Sequence, residues 1–161
     1  KLTVLRRAFS VRPEHRPKNM PTKTSTAATE RQDIVRAVHD IVELRVRGDI
    51  AGLMKYAAAD IVFTGGSWRY YPLNAPRQGK DACAQMANQV NIAFENMGST
   101  INSLIVDGER VAMQRTAHIR NRGAGRTVSI EICNFLRFRD GLVVEFSEYP
   151  DTIAAAQLEA D

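Results

Sequence analysis

The sequence has little of what usually gives a function away. Its two cysteines, Cys83 and Cys133, follow no spacing pattern, which excludes a disulfide framework and a cysteine-built zinc site and favours a reducing compartment. No apolar run approaches the roughly 18 residues that a membrane-spanning helix needs, and no apolar-centred leader is visible. The chain therefore reads as cytoplasmic, with no membrane partner. A Gly-rich phosphate loop, metal-ligand spacing and internal repeats are also missing, so neither a cofactor nor a metal is expected.

The formal net charge of +4 suggests a polyanion partner until it is divided along the chain. Residues 1–27 hold seven basic side chains against Glu14, a balance of +6 that leaves the remainder at −2. Nucleic acid is thus not an expected partner of the folded part, and only the basic arm has the charge to meet a polyanion. Residues 1–28, with Pro13, Pro17 and Pro21, read as a weakly ordered arm. Residues 29–161 read as one domain, long enough to bury a core of its own.

Thr29 and Gln32 have capping-box spacing, and Ile34, Val35, Val38, Ile41, Val42 and Val46 recur on one helical face before Gly48. Asp49 is placed to cap a short second helix to about Ala58. A strand at Asp60–Thr64 and an irregular stretch, Gly65–Gln78, follow. The spacing of Cys83, Met86, Val90 and Met97 predicts a third helix from Asp81 to Gly98. Beyond Gly98 the period falls from 3.6 to 2, predicting strands at about Thr100–Val106, Arg110–Arg120, Arg126–Arg139 and Leu142–Tyr149. Three helices followed by a strand meander define an α+β class: a cone-shaped barrel with the helices packed on a curved, mostly antiparallel sheet.

The last three strands each carry one polar residue on an otherwise apolar face. Arg115 interrupts Val111, Met113, Ala117 and Ile119; Asn134 interrupts Val128, Ile130, Ile132, Leu136 and Phe138; Glu148 ends the face of Leu142, Val144 and Phe146. An unpaired buried charge is costly, so an inward Arg and an inward Glu on neighbouring strands imply each other. A three-residue hairpin loop, Arg139–Gly141, would set Ile132 opposite Glu148, and a similar count sets Arg115 beside Ile132. Such a pair serves either as a fold-fixing ion pair or as an oriented base in a pocket. The convergence of three polar groups where helices cover a sheet favours the pocket.

These residues sit in a chain that resembles the nuclear transport factor two-like superfamily, which includes SnoaL-like cyclases and ketosteroid isomerases. The similarity runs from about Thr29 to Gln157. It rests on Arg47–Ile50 (RGDI), Ala59–Phe63 (ADIVF), Gln78–Ala82 (QGKDA) and the long match at Phe138–Tyr149 (FRDGLVVEFSEY). The resemblance implies a small-molecule pocket and a homodimer paired through the outer sheet face carrying Glu131, Cys133 and Phe135. Ketosteroid isomerase chemistry does not carry over. Its base aspartate falls on Gly65, its oxyanion-binding aspartate on Asn134 and its tyrosine on Ile41. Limonene epoxide hydrolase matches better, with its arginine on Arg115 and its water-activating aspartate on Glu148, but its acid falls on Ala117 and its tyrosine and asparagine on Phe63 and Gly65.

The expectation is a pocket for a small, largely apolar molecule bearing a carbonyl or hydroxyl. Glu148 would be the general base and Arg115 its orienting cation, while Tyr71 would donate a proton. Asn134 would bind ligand oxygen. Trp68, Phe63, Ile132, Phe146 and Met97 would complete the wall. The competing class is a non-catalytic ligand-binding or dimerisation domain.

Overall fold

In the computed structural model, residues 24–65 and 76–159 are described. The first helix, α1 (Thr24–Arg47), buries Ile34, Val38, Ile41 and Val42 along one stripe and ends where Gly48 takes a positive φ. Asp49 accepts a hydrogen bond from the Gly52 amide at 2.8 Å and so caps α2 (Ile50–Tyr56). Then come β1 (Ala57–Gly65), the short β2 (Arg77–Gln78) and α3 (Lys80–Ala93). The meander is β3 (Phe94–Asp107), β4 (Arg110–Asn121), β5 (Thr127–Arg139) and β6 (Leu142–Pro150), closed by α4 (Thr152–Glu159).

Six strands form one mixed sheet in the order β2-β1-β6-β5-β4-β3, antiparallel except for the parallel pair β1 and β6. Two bulges in β3, between Asn96 and Gly98 and between Ile101 and Ser103, bend that edge. The result is an α+β fold in which four helices pack on a curved, cone-like sheet that stays open between β2 and β3.

Three expectations need correction. The third helix stops at Ala93 and not near Gly98, because Phe94 is already extended and its side chain packs inward from β3. A fourth helix, absent from the sequence reading, is set by Asp151, whose carboxylate accepts from the amides of Ile153 and Ala154 at 2.9 and 3.2 Å. The β5–β6 turn has two residues, not three. Asp140 and Gly141 both take positive φ, 52° and 75°, and Arg139 pairs with Leu142. A bulge between Arg137 and Phe138 on the β5 side then skips Val144, which restores parity but moves the register by two. Glu148 consequently lies opposite Asn134, and Ile132 opposite Pro150.

The core has two parts. One lies under α1 and includes Val38, Met113, Leu136, Phe138 and Val143; the other lies under α4 and includes Phe94, Ala117, Ile130, Ile132, Ala155 and Leu158. β1 approaches β6 most closely at Gly65, with φ +105°, where an added Cβ would stand 1.9 Å from the Glu148 carbonyl oxygen. That position admits only glycine. Gly65→Ala is expected to cost at least about 2 kcal/mol through backbone strain and displacement of β6, read as a lower urea midpoint. An unchanged midpoint would mean that the two strands can separate freely there.

Candidate functional site

Along β4 the inward side chains run Met113, Arg115, Ala117, and along β5 they run Leu136, Asn134, Ile132. The polar residues thus fall at the boundary between the two apolar clusters, and Glu148 meets them from β6. Arg115 is 6% exposed and Asn134 fully buried, while the Glu148 side chain keeps 23% of its surface.

The Arg115 guanidinium reaches three groups. Its Nε donates to Asn134 Oδ1 at 2.9 Å, Nη1 to Ser99 Oγ at 3.1 Å and Nη2 to Glu148 Oε2 at 2.9 Å. Asn134 Nδ2 donates to the same Glu148 Oε2 at 3.2 Å and to the Ser147 carbonyl at 3.5 Å. Arg115, Asn134 and Glu148 therefore close a ring in which Glu148 Oε2 is held twice. Among the described residues, nothing donates to Oε1. The carboxylate faces a cavity of about 220 Å³ between the sheet and the helices.

Phe63, Ile132 and Phe146 line that cavity. Phe63 pairs with Phe146 across β1 and β6, and their rings stack with centroids 5.6 Å apart. Two expected site residues stand elsewhere. Asn134 is not among the residues lining the cavity, and its amide is bonded to Arg115, Glu148 and Ser147. Met97 is on β3 and 56% exposed, outside the cavity, because the strand begins before it. Trp68 and Tyr71 lie outside the described residues.

The structure adds groups that the sequence reading did not single out. Arg45, in the last turn of α1, lines the cavity, and its Nη1 donates to Asn91 Oδ1 on α3. Burial pushes the Arg45 guanidinium below its ordinary range, nearby Glu148 acts in the opposite direction, and Arg115 adds to the lowering. Its position was readable: Ile34, Val38, Ile41 and Arg45 follow one helical stripe, so Arg45 is another polar residue on an apolar face. Tyr56 also lines the cavity, but its hydroxyl donates to Asp40 at 2.6 Å, the main cause of its raised pKa. Cys83 is buried against the cavity, and burial pushes its thiol up and so disfavours the thiolate. No group of three or more His, Cys, Asp or Glu among the described residues is arranged to hold a metal ion.

Helices on one face of an open, cone-like sheet, enclosing an apolar cavity with charged groups on its wall, define an NTF2-like α+β domain. The chain belongs to the SnoaL-like domain family, whose model matches residues 35–146. No curated protein matches it. Among solved structures it is similar to an NTF2-like protein from Burkholderia xenovorans LB400, at 26% identity and a TM-score of 0.64 over 80% of this chain and 97% of that one. An NTF2-like protein of unknown function from Burkholderia pseudomallei shares 21% identity and a TM-score of 0.70, over 80% and 98%. An LEH-like epoxide hydrolase from M. tuberculosis shares 16% identity and a TM-score of 0.66, over 80% and 90%. At these identities the last two show the fold alone. No helix among the described residues is long and apolar enough to cross a membrane.

Proposed function

We propose that the domain binds a small, largely apolar molecule bearing a carbonyl or hydroxyl oxygen, and that Glu148 acts on it as a general base oriented by Arg115. The observation that carries this reading is the unequal use of the Glu148 carboxylate. Oε2 is fixed by Arg115 and Asn134, whereas Oε1 receives no hydrogen bond from a described residue, and Glu148 is among the residues that line the cavity. A general base needs that combination of fixed position and one open oxygen. Oε1 would take a proton from a bound water or from an acidic C–H or O–H of the ligand and return it later in the cycle. Isomerase, cyclase, dehydratase and hydrolase reactions all share this step.

From its place in the sequence, Tyr71 is the proposed proton donor, and Trp68 belongs to the proposed wall. The two free thiols support a reducing, cytoplasmic setting for the domain. A second, non-catalytic reading is favoured by the ring itself, since Arg115 makes three side-chain hydrogen bonds and needs no ligand to satisfy it.

Glu148→Gln separates the two readings. It keeps the shape and the acceptor facing Arg115 but removes the basic oxygen. In a metabolite extract followed by mass spectrometry, compounds consumed by the wild type are expected to be consumed about 10²- to 10⁴-fold more slowly by the variant. Equal consumption would overturn the assignment of Glu148 as base, and consumption of nothing by the wild type would leave the non-catalytic reading.

We also propose a homodimer formed through the outer sheet face. Phe135 and Tyr149, both more than half exposed, meet edge to face there at 6.2 Å beside exposed Cys133, and Glu131 joins a polar cluster with Thr116, Asn102 and Gln114. Exposed aromatic pairs on a sheet normally have a cover. Light scattering at micromolar concentration should give twice the chain mass; a monomer would refute the pairing.

A further inference from the structure

The cavity wall carries more positive than negative charge. Its charged side chains among the described residues are Arg45, Arg115 and Glu148, and the one carboxylate is already engaged by Arg115 at 2.9 Å. Arg45 has no ion-pair partner among the described residues; its side-chain hydrogen bond goes to the neutral amide of Asn91. That amide is itself fixed, because Asn91 Nδ2 donates to the Gly48 carbonyl at 3.1 Å, so α3 and the end of α1 hold the guanidinium in place. The segment 66–75 contains no Asp or Glu and includes Arg69, so it has no carboxylate to offer Arg45.

Arg45 is half-buried and shares its one nearby carboxylate, Glu148, with Arg115, so it is incompletely neutralised. A partly desolvated cation of this kind is costly where an apolar residue would often be neutral or stabilising. A fixed, desolvated guanidinium with donors to spare is, however, well suited to an oxyanion, which it binds through charge-assisted hydrogen bonds. We infer that Arg45 is the anion-recognition residue of the cavity, and that the ligand is a small apolar monoanion, a carboxylate or the conjugate base of an acidic enol or phenol. The inference rests on the cavity reading above and narrows it. The anionic end sits against Arg45, the apolar body lies along Phe63 and Phe146, and the position to be deprotonated faces Glu148 Oε1. A cavity of about 220 Å³ is smaller than the roughly 300 Å³ at which drug-sized pockets begin, so one ring with a short acidic chain is the size class.

The test uses two matched probes, 3-phenylpropionate and 3-phenylpropan-1-ol, titrated by protein-observed NMR into the full chain and into Arg45→Met and Arg45→Lys. The wild type is expected to bind the carboxylate at least tenfold more tightly than the alcohol. Arg45→Met should lose this preference while keeping its affinity for the alcohol, and Arg45→Lys should keep part of the preference. Equal binding of the two probes by the wild type overturns the inference and leaves the pocket reading standing. This comparison needs no variant to fold. A full preference in folded Arg45→Met also overturns it, by assigning the anion to Arg115. Failure of both probes to bind the wild type overturns the inference and the pocket reading together.

Discussion

The hydrogen-bonded ring of Arg115, Asn134 and Glu148 is the constraint on which the rest of this domain depends. It brings a guanidinium, an amide and a carboxylate into the space between two apolar clusters, where charge is costly unless it is paired and hydrogen-bonded. Ser99 on β3 accepts from Arg115 Nη1 and the Ser147 carbonyl on β6 accepts from Asn134 Nδ2, so four strands of the sheet contribute to one polar network. Networks of this kind are strong only when complete, since a partly satisfied buried polar group is worse than an apolar one. The arrangement therefore fixes the sheet's register as firmly as it fixes the carboxylate.

That register decides the chemistry. Arg115 stands opposite Ile132, two residues along β5 from Asn134, and Asn134 stands opposite Glu148, so the ring closes diagonally across three strands. The two-residue turn at Asp140 and Gly141 and the bulge at Val144 put Glu148 at this level and not two residues away. Gly65 completes the geometry from the other side. The lack of a side chain lets β1 lie against the Glu148 backbone, and it leaves the end of β1 without a polar side chain at that point. The Glu148 carboxylate is consequently carried by β6, in the middle of the sheet between β1 and β5.

Most of the architecture was legible in the sequence because period-2 alternation is strong in the last strands. One polar residue among three to five apolar ones identified Arg115, Asn134 and Glu148, and parity alone put them on the inner face. Parity could not give their partners. A turn one residue shorter and a skipped Val144 cancel in facing but not in register, which is why Ile132 was expected where Asn134 stands. The third helix was overextended because Met97 continues the apolar spacing across a boundary that Phe94 sets by tertiary packing. The fourth helix is short and alanine-rich, with an apolar pattern too brief to register, although its Asp151 cap was visible. Arg45 was missed for a different reason. An arginine in the last turn of a helix reads as a complement to the helix dipole, which hides the fact that this one continues the apolar stripe of Ile34, Val38 and Ile41 towards the cavity.

A double-mutant cycle on the ion pair tests the central claim most directly, with stability measured by urea unfolding at neutral pH. Arg115→Met alone should lose about 3 kcal/mol by stranding the carboxylate, less whatever is recovered if Glu148 takes up a proton. Combined with Glu148→Gln it should recover much of that loss, giving a coupling energy of at least about 1 kcal/mol. If instead the two substitutions add to within about 0.5 kcal/mol, Arg115 and Glu148 do not act as one unit, and the account of a carboxylate held by the ring is contradicted.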